Sequence, residues 1–307
     1  MAGSDEARSL EALLDNGWRY HDKESHRLAR ELEEAAAGER IAPGLLAPFL
    51  HLSVHTIGQH LGDWPRAFVL GKQVLDGQMP VLETARAWGR LYVAAVLAGD
   101  SLEAADLELS YLRAAGDDFA AALLDMRFML AEALVGSKRA REGARLYRSA
   151  LDLVGQVRHS PLLDRTIAVA SNNLGWELYE TSARTPDEDA LMQLAAEMSL
   201  KSWLKCGNWI NAERAHYLNA RVANTTGDPR SGLAHADAAL AIIAANGERP
   251  LDAARLHLAR AVSLAALGDT EGRAQAIGDA DAAAAKLVAA DLKAQFAAER
   301  GGVVNGS

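Results

Sequence analysis

A single cysteine, Cys206, stands among the 307 residues, so no disulfide can form within the chain. It lies in Lys205-Cys206-Gly207-Asn208, a helix end and turn, with no His or Lys visibly poised to lower its pKa. A small half-buried thiol is expected there rather than a nucleophile. No apolar run approaches the ~18 residues of a membrane span. The opening Met1-Ala2-Gly3-Ser4-Asp5-Glu6 is acidic and lacks the basic-then-apolar pattern of a secretion signal, so a cytoplasmic protein is expected. Basic charge is short as well: 32 Lys and Arg against 41 Asp and Glu leave a net charge of -9. That balance argues against broad binding to nucleic acid or to an anionic membrane, although a local basic groove stays open. Also absent are a phosphate-binding Gly loop, a dinucleotide Gly pattern after a strand, a cysteine cluster and a Gly-x-Ser-x-Gly elbow. No catalytic residue, cofactor or metal is therefore expected.

What the sequence has is helix. Apolar residues recur at three- and four-residue steps, Ala, Leu, Arg and Glu dominate, and no convincing strand pattern occurs. Gly62-Asp63, Gly99-Asp100, Gly136-Ser137, Gly227-Asp228 and Gly268-Asp269 each follow one apolar helical stretch and precede another. Glycine takes the left-handed conformation that closes a helix, and Asp or Ser caps the next, so each pair predicts a tight helix-helix turn. The turns are 37 residues apart from Gly62 to Gly99 and from Gly99 to Gly136, and 41 apart from Gly227 to Gly268. The 91 residues between Gly136 and Gly227 fit two units, one of them enlarged. A period in this range signals helical repeats.

Trp88, Leu91, Gly99-Asp100 and Ala104 together resemble the tetratricopeptide repeat family. So do Gly62-Asp63-Trp64 with Ala67, Asn173-Leu174-Gly175, Ala220 with Gly227-Asp228, and Ala261 with Gly268-Asp269. The resemblance covers roughly residues 48 to 290 and rests on recurrence in register. Where the family has a small residue seven before the Gly, this chain has His55, Tyr92 and Met129; the third unit has a longer turn and the fourth an insertion near Ser182–Asp189. The repeats are therefore degenerate. The resemblance implies an all-α fold, a right-handed superhelical solenoid of antiparallel helix pairs. Residues 1–42 would form an N-terminal helical cap, 43–290 about six pairs in one continuous array, and 291–307 the end of a capping helix and a disordered tail.

In such solenoids the first helix of each pair lines the concave face. Counting thirteen, ten, nine, six and three residues back from each Gly puts Arg86, Arg90 and Arg127 on that face. With Gly175 setting the fourth unit, Asn172, Asn173, Trp176 and Tyr179 join them, followed by Arg214, Tyr217, Arg221 and Asn224, and then Arg255. Almost no acid falls at these positions in an acidic protein. Arg offers a planar fork for carboxylate or phosphate, Asn bonds a peptide backbone through donor and acceptor, and Tyr and Trp give contact area at little entropic cost. The set predicts a groove for an anionic or extended protein or peptide segment. The bland alternative is that the Arg side chains pair with neighbouring acids and the aromatics fill core. Some proteins of this family clamp a partner's C-terminal carboxylate. Arg86 and Arg90 have the spacing of one part of that clamp, while Leu52 and Thr56 replace the Lys and Asn of the other. A ligand- or peptide-sensing regulator is the second reading, and an enzyme on a repeat scaffold the third. Oligomeric state is open.

His51 and His55 are four apart on one helix face, a spacing that can hold zinc, but no Glu follows His51 as in metalloproteases. His216 and His257 share the register of His51, eleven before their Gly, which favours packing over ligation. On an α-helix His60 would lie on another side. The acidic runs Glu31–Glu34 and Asp187–Asp189 read as solvated or capping segments.

Overall fold

The structure, a computed structural model, describes residues 9–38, 40–116, 118–158 and 160–305. They are helical throughout, with no strand among them, and divide into two compact units that part at Arg158. The first unit holds α1 (Leu10–Gly17), α2 (Ser25–Ala37), α3 (Pro43–Ser53), α4 (Trp64–Leu75), α5 (Ala85–Ala98), α6 (Ser101–Ala114), α7 (Phe119–Gly136) and α8 (Ala140–Val154). The second holds α9 (Pro161–Glu180), α10 (Pro186–Cys206), α11 (Trp209–Thr225), α12 (Pro229–Asn246), α13 (Pro250–Ala266), α14 (Thr270–Ala284) and α15 (Ala290–Asn305). From α3 to α14 successive helices pack as adjacent pairs, an arrangement consistent with an α-solenoid.

The turns form as the Gly-Asp pairs require. Gly62, Gly99, Gly227 and Gly268 all have positive φ, between 70° and 87°. Asp63, Asp100, Asp228 and Asp269 each accept the backbone N–H three residues on, capping the second helix of the pair. The third pair departs. Gly136 stays inside α7, and the left-handed residue is Lys138, with φ 61°. The N–H of the next residue, Arg139, bonds the carbonyl of Leu134, as Asp100 bonds Ala95 and Asp228 bonds Ala223. Lys138 is therefore the counterpart of Gly99, and the register of α7 lies two residues from where Gly136 had set it.

The segment read as an insertion in the fourth pair is a capped joint. Thr185 and Glu188 make a reciprocal capping box, and Asp187, Glu188 and Asp189 occupy the first turn of α10, where the helix dipole favours negative charge. Arg184 donates to the carbonyls of Leu178, Tyr179 and Thr181 at the end of α9.

Beyond Ser53, α3 widens into a π-helical stretch, Val54–His60. Gly58 lies against the indole of Trp64, and a Cβ there would come within 2.5 Å of the ring. This contact seats the start of α4 directly on the widened turn. The core of the first unit is large and branched, with Leu28, Leu32, Phe49, Leu50, Ile57 and Leu91 buried. In the second unit Leu163, Ile167, Leu174, Leu178, Leu191 and Leu218 are buried too, and alanines such as Ala168, Ala215, Ala220, Ala236, Ala239 and Ala259 let neighbouring helices approach closely.

At the C-terminal end the expectation of a tail is corrected over its first part. Gly301–Asn305 continue α15, and Arg273 donates to the carbonyl of Val303. Gly306 and Ser307 lie outside the described residues, as do residues 1–8 of the expected N-terminal cap. No described helix is long and apolar enough to cross a membrane.

A non-Gly residue in the left-handed region carries a steric penalty that glycine escapes, partly offset by glycine's greater freedom when unfolded. Lys138→Gly is expected to stabilise the protein by roughly 0.5–1 kcal/mol, measured as an upward shift of the urea midpoint. A loss of stability would contradict the placement of the third turn at Lys138.

Candidate functional site

In the second unit α9, α11, α13 and α15 turn side chains toward two adjoining cavities of about 550 and 190 Å³. The register from Gly268 holds along α13, where Arg255, Leu258, Ala259 and Val262 line the smaller cavity at thirteen, ten, nine and six residues before the turn. From Gly227 it holds for Arg214, Tyr217 and Arg221, which line the larger. Asn172, Trp176 and Tyr179 of α9 complete that wall, and Gln295 and Glu299 of α15 face it.

Arg221 is the centre of the arrangement. Its Nε donates to the Tyr179 hydroxyl at 2.9 Å, its Nη2 donates to the same oxygen, and its Nη1 donates to the Tyr217 hydroxyl at 2.7 Å. The guanidinium carbon lies 4.9 Å from the Tyr179 ring centroid and 5.6 Å from that of Tyr217, within cation–π range. Trp176 stands edge-on to Tyr179 at 5.5 Å and tilted to Tyr217 at 5.8 Å, so three aromatic rings frame one cation. No carboxylate among the described residues forms an ion pair with Arg221. Each phenol accepts from Arg221 and keeps its own O–H to donate. Of the guanidinium's about five N–H groups, two are left for a ligand.

The other cations of this wall are paired. Arg255 makes a bidentate contact with Glu299, at 2.9 Å from Nε and 2.6 Å from Nη2. Asp252 takes Arg249 and, at 3.8 Å, Arg214. Glu213, on the same wall, is buried, and its Oε2 has no hydrogen-bond partner. Burial, reinforced by the nearby Asp252, pushes its pKa up to about 7.

Two of the expected asparagines do other work or stand elsewhere. Asn224 borders the smaller cavity, but its Nδ2 donates to the carbonyl of Ala259 and its Oδ1 accepts from Ser263, tying α11 to α13. Asn173 lines neither cavity.

In the first unit the shifted register changes the face. Counting back from Lys138 replaces Arg127 with Asp125 and Glu132 as the inward residues of α7. Arg86 reaches Asp125 at 3.3 Å, and the Tyr111 hydroxyl donates to the other carboxylate oxygen at 2.6 Å. Arg90 lies within the fields of Glu132 and Asp125. Arg127 does not join them; its Nε is buried without a hydrogen-bond partner. Here the bland alternative describes the packing, since Arg86 pairs with an acid of the next first helix.

The wall residues that the sequence reading missed are Glu180, Glu213, Asp252, Gln295 and Glu299. Glu213 immediately precedes Arg214 and Asp252 lies three before Arg255, so both were within reach of a wider helical face. Gln295 and Glu299 were hidden by the reading of the last helix as a cap.

No family model and no curated protein matches this chain. Among solved structures, the crystal structure of BtubC (BKLC) from P. vanneervenii is similar over 73% of this chain and 89% of its own. The identity is 15% and the TM-score 0.48, a likeness too slight to carry a statement about function.

A buried Glu with a raised pKa binds its proton more tightly folded than unfolded, where its value is about 4.3. Its favourable contribution is whole below about that pH and is lost as pH rises through about 7. Glu213→Gln cannot ionise, so its melting temperature is expected to gain on that of the wild type as pH goes from 5 to 8. A gap that stays constant with pH would contradict the raised carboxyl.

Proposed function

We propose that this chain is a binding protein of the tetratricopeptide type, without catalytic activity, that holds a protein or peptide segment in the groove of its second unit. The observation that carries this reading is Arg221, a cation fixed by two neutral phenols and framed by Trp176, Tyr179 and Tyr217. Two free N–H groups and two phenolic O–H groups converge as donors, which suits a carboxylate, the C-terminal group of a peptide or an acidic side chain. The rings offer rigid contact area around that anchor. Arg255 and Arg214 have acidic partners, so the anionic preference concentrates at Arg221 rather than spreading along the groove.

One observation favours the second reading, a regulator that senses a small ligand. Glu299 and Gln295 of α15 contribute to the walls of a cavity of about 550 Å³, within the size range of small-molecule sites.

Charge-assisted hydrogen bonds of this kind contribute about 1.5–3 kcal/mol each, so Arg221→Ala is expected to cut partner retention by at least tenfold. The measurement is capture from lysate, beside wild type and an Arg260→Ala control that removes an arginine paired with Asp237. Retention unchanged in Arg221→Ala would overturn the groove reading. If wild type retains no protein but is thermally stabilised by small carboxylic acids, and Arg221→Ala is not, the sensor reading takes its place.

A further inference from the structure

His21, His55 and His60, all in the first unit, come together although the sequence spreads them over forty residues. One ring nitrogen of each lies within 4.8 Å of those of the other two. The ring centroids are 4.7 to 5.0 Å apart, and the Nε2 atoms of His55 and His60 are 3.1 Å apart.

The π-helical stretch makes this possible. On an α-helix, five steps of about 100° would leave His60 about 140° around the axis from His55. In Val54–His60 the chain is wound so that the residue five positions on returns to the same side. His60 therefore stacks beside His55, contrary to the α-helical expectation. His51, one α-turn before His55, stays outside the cluster and packs against Trp18 at 4.9 Å. His21 arrives from the turn after α1, where Trp18 also lies over His55, with centroids 5.2 Å apart.

We propose that His21, His55 and His60 form a binding site for a divalent transition-metal ion of the zinc class. Zinc–nitrogen bonds of about 2.0–2.1 Å in a tetrahedron put ligand nitrogens about 3.3–3.4 Å from one another, so the 3.1 Å pair already stands close to an edge of such a site. His21 has the outer-sphere contact that metal-bound imidazoles use. Its Nδ1 lies 2.8 Å from the carbonyl oxygen of Trp18, which can only accept, so in the neutral ring Nδ1 carries the proton and Nε2 the lone pair. His60 is exposed, which gives an ion a route in from solvent. Imidazole donors suit zinc, cobalt, nickel or copper and not the hard cations calcium and magnesium, which take oxygen. Three ligands leave a fourth position for an exchangeable ligand such as water. The second unit's His216 and His235, with Nδ1 atoms 3.0 Å apart, offer two donors only and make the natural control.

The test uses the full chain, stripped with a chelator, desalted and titrated with zinc chloride by calorimetry. Cobalt(II) absorption in parallel reports an imidazole-rich, low-coordinate site. One equivalent of zinc is expected to bind the wild type. His21→Ala and His60→Ala are each expected to weaken binding by more than about tenfold, the scale on which lost ligand support acts. His216→Ala should bind like wild type. Circular dichroism of each variant verifies the fold, and His60, being exposed, can be replaced without opening the core. Absence of saturable zinc binding, or binding lost with His216→Ala and kept in His21→Ala and His60→Ala, would overturn the site.

Discussion

The residue that turns the chain left-handed after the first helix of a pair fixes how far that helix is rotated about its own axis. Everything that faces inward follows from it. Where the turn falls on Gly227 and Gly268, the same offsets bring Tyr217, Arg221, Arg255 and Leu258 onto cavity walls. Where it falls on Lys138 instead of Gly136, a shift of two residues exchanges an arginine for two acids, and Asp125 meets Arg86. Two residues are about 200° of helix, so a small difference in turn chemistry reverses the electrostatics of a face.

Much of the fold was legible because helix turns are written in residue types with a narrow range of conformations. The Gly-Asp pairs announced both the left-handed closure and the following cap, and four of them form as their chemistry requires. Lys138 carries no such mark; a lysine adopts positive φ only because the helices on either side demand it. The division at Arg158 left no compositional trace either. In the candidate groove, the aromatic and arginine positions of α9 and α11 could be read from periodicity. Glu299 could not, since it comes from a helix that reads as a cap, and Glu213 reveals its raised pKa only once it is buried.

The two units use ionisable groups differently. In the first, Arg86, Asp125 and Tyr111 close on one another, and the π-helical turn gathers three imidazoles. In the second, pairing is uneven: Arg255 and Asp252 have partners, while Arg221 is held by phenols alone. That asymmetry leaves an acidic protein with one concentrated positive centre and no basic surface.

The central claim, that the inward face of the second unit is the binding face, is tested most directly by photo-crosslinking. A benzophenone side chain is placed at Trp176 on that face or at Leu204, which is 61% exposed on α10, before irradiation with native lysate. A discrete adduct is expected from position 176 and none from position 204. The same adduct arising from position 204 alone would contradict it and move the binding surface to the outer helices.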